Sequence, residues 1–285
     1  MPDVDTSAMS EELDSLCAGF SGRVGYSFTN LGTSERLTRN GEMEFPTAST
    51  IKLPVLTALH AYAQDADFDW DKTVPVDSVE IAPGSGILQY LSRDLRMSYR
   101  DLAWLMICLS DNTATNLVIG AMGRERAATL IADLIDPDIR LRGGAGASFD
   151  TAYPSMGYAT PAAMGRYLDR LAARDLPGAA DTIAVARQQV YQSMAPRYLP
   201  QSPTAAIPLT IAHKTGALPG VRSDIAVIST ATTTMTAAVF TADCDDRGYD
   251  TIHEGELCIA ALTYLVCRTW LGVVSDAGEA ALGAR

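Results

Sequence analysis

The hydrophobic and polar positions change period along the chain. Residues 23–30 alternate, with Val24, Tyr26 and Phe28 on one side, and this period of two predicts a β-strand. A second strand over residues 35–39 would pair with the first as a hairpin. The N-terminal part therefore starts a sheet.

Alternation returns near the other end of the chain. It predicts strands over residues 209–216, 223–229 and 233–242, followed by a closing helix over residues 254–269. Strands from both ends would then share one sheet, because separate two- and three-stranded sheets could not bury their apolar faces as well.

The middle of the chain, from residue 50 to about residue 200, is mainly helical in pattern. Ser98 with Asp101 resembles a capping box, Gly123 suits the position after a helix, and Thr160 before Pro161 suits a helix start. The expected fold class is α/β of the α+β type: an antiparallel sheet flanked by N- and C-terminal helices, with a mainly helical insert. We expect residues 1–48 and 205–285 to form one discontinuous α/β domain and residues 49–204 a mainly helical domain.

Composition narrows the class of partner. The 285 residues carry a formal charge of −12, which repels nucleic acid and anionic membrane surfaces and favours a small-molecule substrate. Five cysteines without a CxxC pair fit neither a zinc site nor a complete disulfide framework, so no metal is expected. The first residues show no basic and apolar signal pattern, so we expect a cytoplasmic location unless a leader has been removed.

The three lysines, among 22 lysines and arginines, are unevenly placed. Arginine stays protonated in proteins, whereas a desolvated lysine can lose its proton near neutral pH. Lys52 closes the run Ser49-Thr50-Ile51-Lys52, and residues three apart share one face of a helix, which would bring its amine within reach of the Ser49 hydroxyl. A serine in a first helical turn also presents a backbone N–H that suits an oxyanion.

Two further runs carry candidate chemistry. Ser110-Asp111-Asn112 follows an apolar helix, and Lys214-Thr215-Gly216 lies on a predicted strand. Taken singly they are compatible with an ordinary helix end and a surface lysine. Together, in the order S-x-x-K, SDN and KTG, they resemble the three signatures of serine β-lactamases and penicillin-binding proteins. The surrounding runs 45–54, 109–117 and 224–227 resemble the class A β-lactamase branch.

The resemblance implies a β-lactamase/transpeptidase-like fold with the active site between the two domains. It makes Ser49 the acylated nucleophile and Lys52 its base, with Ser110 relaying a proton between Lys214 and the leaving nitrogen. The N–H groups of Ser49 and Ala217 would form the oxyanion hole, Asn112 would hold a substrate amide, and Lys214, Thr215 and Arg222 would grip a substrate carboxylate. The candidate substrate-binding residues are thus Asn112, Thr215, Gly216, Ala217 and Arg222, and no metal or organic cofactor is required.

The chain departs from this family at one loop. Class A enzymes carry a glutamate there that drives water onto the acyl-serine. Residues 143–159 contain no glutamate; counting back from Pro161 puts its position near Gly144, and Asp150 is the one acidic residue, about six residues away. Acylation should therefore proceed while deacylation is slow, with Asp150 a poorer candidate for the water base.

The sequence thus predicts a serine hydrolase that acts on an amide or ester, β-lactams included, through an acyl-serine with slow or altered deacylation. Two alternatives stay open. One is a D-alanyl-peptidase or transpeptidase, whose acceptor need not be water. The other is a binding or sensing module that captures an acyl group and does not release it.

Overall fold

The computed structural model describes residues 6–65, 67–146, 155–250 and 252–283. Asp150 therefore lies outside the described residues. Within them the helices are α1 (Thr6–Ala18), α2 (Lys52–Asp65), α3 (Tyr99–Cys108), α4 (Asn112–Met122), α5 (Arg124–Leu130), α6 (Pro161–Ala172), α7 (Ala179–Ala186), α8 (Glu254–Leu271) and α9 (Asp276–Gly283). The strands are β1 (Arg23–Asn30), β2 (Glu35–Arg39), β3 (Phe45–Pro46), β4 (Thr73–Pro75), β5 (Arg96–Ser98), β6 (Ile139–Leu141), β7 (Gly157–Ala159), β8 (Thr210–Leu218), β9 (Val221–Ser229) and β10 (Thr234–Ala242).

Strands from both chain ends form one antiparallel sheet, in the order β2-β1-β10-β9-β8. This confirms the predicted fold class, and β1 and β2 have the predicted bounds. β8 is an edge strand, so one row of its backbone N–H and C=O groups has no partner within the sheet.

The sheet is buried on both faces, and β10 shows why its register is fixed. Met235, Ala237 and Val239 belong to a core shared with α1 and α8. Ala238 and Phe240 belong to a second core shared with α2 and α6. A slip of one residue would move every one of these side chains into the other core, and burying one large apolar side chain is worth about 1.5–3 kcal/mol.

The helical part is delimited by the predicted caps. Ser98 accepts a hydrogen bond from the Asp101 N–H, and Thr160 accepts one from the Ala163 N–H at 3.1 Å. Gly123 ends α4 with a positive φ of 77°. These caps fix where α3, α4 and α6 start or stop, and hence where the loop between α3 and α4 faces the sheet.

No single helix in the described ranges is long and apolar enough to cross a membrane. Only together do α8 and α9, which meet at a bend of 118°, reach that length and apolar composition.

Candidate active site

A cleft of about 770 Å³ lies beside the edge strand β8 and the loop between α3 and α4. It is lined by Ala48, Ser49, Pro83, Gly84, Ser85, Ser110, Asn112, Ala145, Gly146, Met156, Tyr191, Ser193, Met194, Thr215, Ala217, Leu218, Tyr249 and Glu256. Five of the predicted site residues are among them. Lys52 and Lys214 lie beneath the floor, both 0% exposed.

Ser49 is presented by a 3-10 turn, Ala48–Ile51, that leads directly into α2. Ala48 has a positive φ of 47°, a conformation that a non-glycine residue adopts only when its surroundings impose it. Its N–H donates to Ser155 Oγ at 3.1 Å. The outlier thus sits immediately before the candidate nucleophile and turns its backbone toward the cleft.

Gly216 packs closely against this turn. A Cβ at Gly216 would lie 2.7 Å from the Thr47 carbonyl oxygen and 2.5 Å from Ser223 Oγ. Ser223 Oγ itself donates to Thr47 O at 3.0 Å. Glycine is therefore needed so that β8 can approach the turn that carries Ser49.

The Lys52 amine is bonded to the SDN run. Its Nζ lies 2.8 Å from Ser110 O, 2.8 Å from Asn112 Oδ1 and 3.2 Å from Ser110 Oγ. A carbonyl and an amide oxygen can only accept, so a neutral amine would give its two N–H groups to them and turn its lone pair toward Ser110 Oγ, which can donate. Among the described residues Lys52 makes no hydrogen bond to Ser49, so the direct bond that the sequence suggested is absent here. The lysine instead meets the cleft through Ser110.

The SDN turn is rigid. Ser110 has a positive φ of 53°, which marks a second strained residue at the cleft. Asp111 caps α4 by accepting from the Ala114 N–H at 2.9 Å, and its other oxygen accepts from the N–H groups of Ile87 and Leu88. Asn112 Nδ2 donates to Pro83 O at 2.7 Å, which leaves Asn112 Oδ1 facing Lys52.

Both buried lysines have lowered pKa values. Burial, with the nearby Lys214 charge, holds the pKa of Lys52 well below its usual range, and Asp111 only partly offsets this. Burial lowers the pKa of Lys214 to about 7, against the opposing effects of Asp224 and Cys108. A lysine whose neutral form is populated near neutral pH can serve as a base.

Arg222 is held away from the cleft by its own bonds. Four of its five N–H donors go to Glu256 Oε1, Leu218 O, Val221 O and Gly248 O. Its side chain is 1% exposed, and it is not among the lining residues. The expectation that Arg222 grips a substrate carboxylate stays a prediction, for which these bonds leave one N–H of Nη2.

The loop wall of the cleft carries no carboxylate in its described part. Asn116 holds it by accepting from Ala145 N at 2.7 Å and donating to Ala145 O at 3.0 Å. Ala145 lines the cleft, whereas a Cβ at Gly144 would lie 2.5 Å from Asn116 Oδ1. Counting along the sequence pointed near Gly144, but the described loop residues that line the cleft are Ala145 and Gly146.

Sequence reasoning missed five lining residues from two later parts of the chain, between α7 and β8 and around the start of α8: Tyr191, Ser193, Met194, Tyr249 and Glu256. Only the fold brings them together. The one signal in the sequence is an aromatic residue in a polar segment, as at Tyr249. In the structure this side chain is 65% exposed.

Comparisons with known proteins give the family and the fold of this chain. A sequence profile described as the β-lactamase enzyme family matches residues 8–270. The crystal structure of a β-lactamase from Sphaerobacter thermophilus is 27% identical, with a TM-score of 0.83 over 95% of this chain and 100% of that one. The structure of PBP-A, at 22% identity, has a TM-score of 0.79 over 93% and 97% of the two chains and is similar in fold.

Two curated sequences match over shorter stretches. β-Lactamase L2 from Stenotrophomonas maltophilia is 29% identical over 109 residues, 38% of this chain and 35% of that protein. A β-lactamase from Rhodobacter capsulatus is 27% identical over 135 residues, 47% of this chain and 46% of that one. The matched region thus spans less than half the length of either relative. On the profile match, which covers most of its length, the chain belongs to the β-lactamase enzyme family.

Proposed function

We propose that this protein is a serine hydrolase that opens an amide or ester, β-lactams included, by acylating Ser49, and that it releases the acyl group slowly. The observation that carries the proposal is the amine of Lys52. It is fully buried, its pKa is lowered, and it is bonded to Ser110 beside the cleft that Ser49 lines.

The acylation half follows from these residues. Neutral Lys52 takes the Ser49 proton, directly or through the Ser110 hydroxyl, as Ser49 Oγ bonds to the carbonyl carbon. The N–H groups of Ser49 and Ala217 stabilise the oxyanion, and both residues line the cleft. As the C–N or C–O bond breaks, Ser110 passes a proton to the leaving atom and is resupplied by Lys52 or Lys214.

For the second half of the reaction, the release of the acyl group, the described part of the loop wall offers no evident base. A water that attacks the acyl-serine must lose a proton, and the loop wall offers Ala145 and Gly146 where a carboxylate would serve. Lys52 acting again, or a group of the substrate, can then supply deacylation, and Asp150, outside the described residues, stays the third candidate. We therefore place the rate-limiting step after acylation.

The same feature supports a second candidate, a D-alanyl-peptidase or transpeptidase. Such an enzyme uses the same serine and lysines, and an amine acceptor brings its own nucleophilic nitrogen. The edge strand β8 also has free backbone groups that suit an extended peptide. Adding an amine acceptor separates the two: faster regeneration of free protein with the amine would favour transfer over hydrolysis.

The test uses a chromogenic cephalosporin and intact-protein mass spectrometry. The wild-type protein should gain one acyl mass on the peptide that contains Ser49, and Ser49→Ala should gain none. Equal labelling or equal turnover by the two proteins would refute the proposal. An adduct that never releases would instead identify a non-turnover sensor.

A further inference from the structure

One end of the cleft carries a carboxylate, Glu256, whose charge is paired with Arg222. Among its described lining residues Glu256 is the one with a charged carboxylate or basic side chain, while Lys52 and Lys214 lie buried beneath the surface. The charged group that lines the cleft is therefore an acid, and both lysines are covered. This departs from the expectation of a cleft that attracts carboxylates alone.

The position of Glu256 follows from the sheet. Ala217 and Arg222 are cross-strand partners, so their side chains share one face, and Thr215, two residues along β8, shares it too. The start of α8 packs on this face, since a Cβ at Gly255 would lie 3.0 Å from Arg222 Cγ. Glu256 thus reaches the cleft at the end where Thr215 and Leu218 line it.

One Glu256 oxygen is free for a ligand. Arg222 Nε donates to Oε1 at 3.2 Å, and the other Arg222 bonds go to backbone carbonyls. Oε2 has no hydrogen-bond partner among the described residues. The single bond from Arg222 therefore leaves one carboxylate oxygen to accept from, or attract, a positive group.

Tyr249 lines the same cleft as Glu256. Its ring is 65% exposed, and the Arg222 guanidinium carbon already lies 5.1 Å from the ring centroid. An aromatic face attracts cations as well as apolar groups, with the largest effect when the cation is partly desolvated. Glu256 and Tyr249 together provide the two kinds of group that recognise an organic cation.

We propose that Glu256 and Tyr249 form a subsite for a positively charged substituent, next to the Thr215 position, so that the preferred substrates are zwitterionic. The carboxylate of such a substrate would lie toward Lys214 and Thr215 and its cationic group toward Glu256. This inference rests on the proposed acylation of Ser49 and adds a substrate class to it.

A purely structural role for Glu256 makes a different prediction. An acidic residue in the first turn of α8 stabilises that helix, and its bond to Arg222 offsets a buried charge. Losing such a role would lower activity toward all substrates alike. A subsite loses activity only toward the cationic ones.

The test compares cephalothin with cephaloridine, which share an acyl side chain and differ in a neutral acetoxy and a cationic pyridinium group beside the carboxylate. The second-order rate constant for acylation of Ser49 is measured for both, in wild type, Glu256→Gln and Glu254→Gln. Glu254 is a matched control, since it lies in the same helical turn but bonds to Ser21, away from the cleft. Comparing the ratio of the two rate constants between wild type and variant cancels the intrinsic reactivity of each compound.

We expect Glu256→Gln to lower the cephaloridine-to-cephalothin ratio by about fivefold, the size of a partly exposed ion pair, and Glu254→Gln to leave it unchanged. In wild type, added salt should lower the same ratio, a measurement that needs no variant to fold. A ratio that is the same in all three proteins and at all salt concentrations would overturn the subsite. Absence of any Ser49 adduct with both compounds would instead overturn the proposed function, and this inference with it.

Discussion

The two walls of the cleft differ in how much chemistry they carry. The lysine wall, made of Ser49, Lys52, Ser110, Asn112 and Lys214, holds two amines of lowered pKa and two strained turns fixed by buried hydrogen bonds. The loop wall, residues 143–146, offers the cleft a methyl group and a glycine, held by one asparagine. This difference shows that the side chains suited to acylation and those suited to deacylation can be present independently of each other. On the proposed function, the lysine wall supplies the groups for acylation, and the described part of the loop supplies no carboxylate to activate water.

The largest expected effect on the acylation rate comes from removing the base, Lys52, from the lysine wall. Lys52→Ala should slow acylation of Ser49 by about a thousandfold, because a positioned base contributes roughly 10²–10⁴-fold. Stopped-flow absorbance with a chromogenic cephalosporin measures the rate. Lys72→Ala is the matched control, since Lys72 is exposed and does not line the cleft. Comparable rates in both variants would remove Lys52 from the mechanism.

Adding a carboxylate to the loop wall should bring the rate of deacylation closer to the rate of acylation. Ala145→Glu should speed deacylation of the Ser49 adduct by roughly 10–100-fold, because a carboxylate in the cleft can take a proton from water. Ala145→Gln has the same size without the charge and should release no faster than wild type. The decay of the adduct is followed by mass spectrometry. Equal acceleration in both variants would point to a widened cleft and not to a base.

Removing the negative charge of Asp224, on β9, should shift the pH dependence of the acylation rate. Asp224 is fully buried, bonds to His213 Nδ1 at 3.1 Å and raises the pKa of Lys214, which burial lowers to about 7. Protonated Lys214 exists below this pKa, so acylation that needs its charge should fall as pH rises through about 7. In Asp224→Asn the raising effect is lost, and this alkaline limb should shift to lower pH.

The acylation rate constant of the free protein, measured from pH 5 to 9, reports this limb. Asp71→Asn, at an exposed carboxylate paired with Arg100, serves as control. A limb that stays in place in Asp224→Asn would mean that Lys214 does not set it.

Loosening the loop wall should have the smallest effect. Asn116→Ala removes the two bonds to the Ala145 backbone and should lower the free energy of unfolding by about 1–2 kcal/mol. Urea denaturation measures the loss. An unchanged midpoint and slope would show that other contacts hold the loop.

The sequence predicted the features that depend on local chemistry. The strands β1 and β2, and the caps Ser98 and Thr160, follow from a period of two and from single side chains that accept a neighbouring N–H. The motifs also predicted that Ser49, Ser110, Asn112 and Thr215 would meet in one cleft.

Partners brought from other elements were beyond local reasoning. Lys52 was expected to bond Ser49, its neighbour on the helix, but its amine bonds Ser110 and Asn112, about sixty residues away. Arg222 was expected to grip a substrate carboxylate, and the structure shows four of its N–H groups bonded to Glu256 and three backbone carbonyls. In both cases the partners come from elements distant in the sequence, and no short motif encodes them.

The central proposal is that acylation outpaces release because, among the described residues, the loop wall carries no group that could act as a base. Rapid mixing of excess chromogenic cephalosporin with wild-type protein tests it most directly. The account predicts a burst of product close to one equivalent per Ser49, followed by a much slower steady state. A progress curve that is linear from the first turnover, with no accumulated Ser49 adduct, would contradict it.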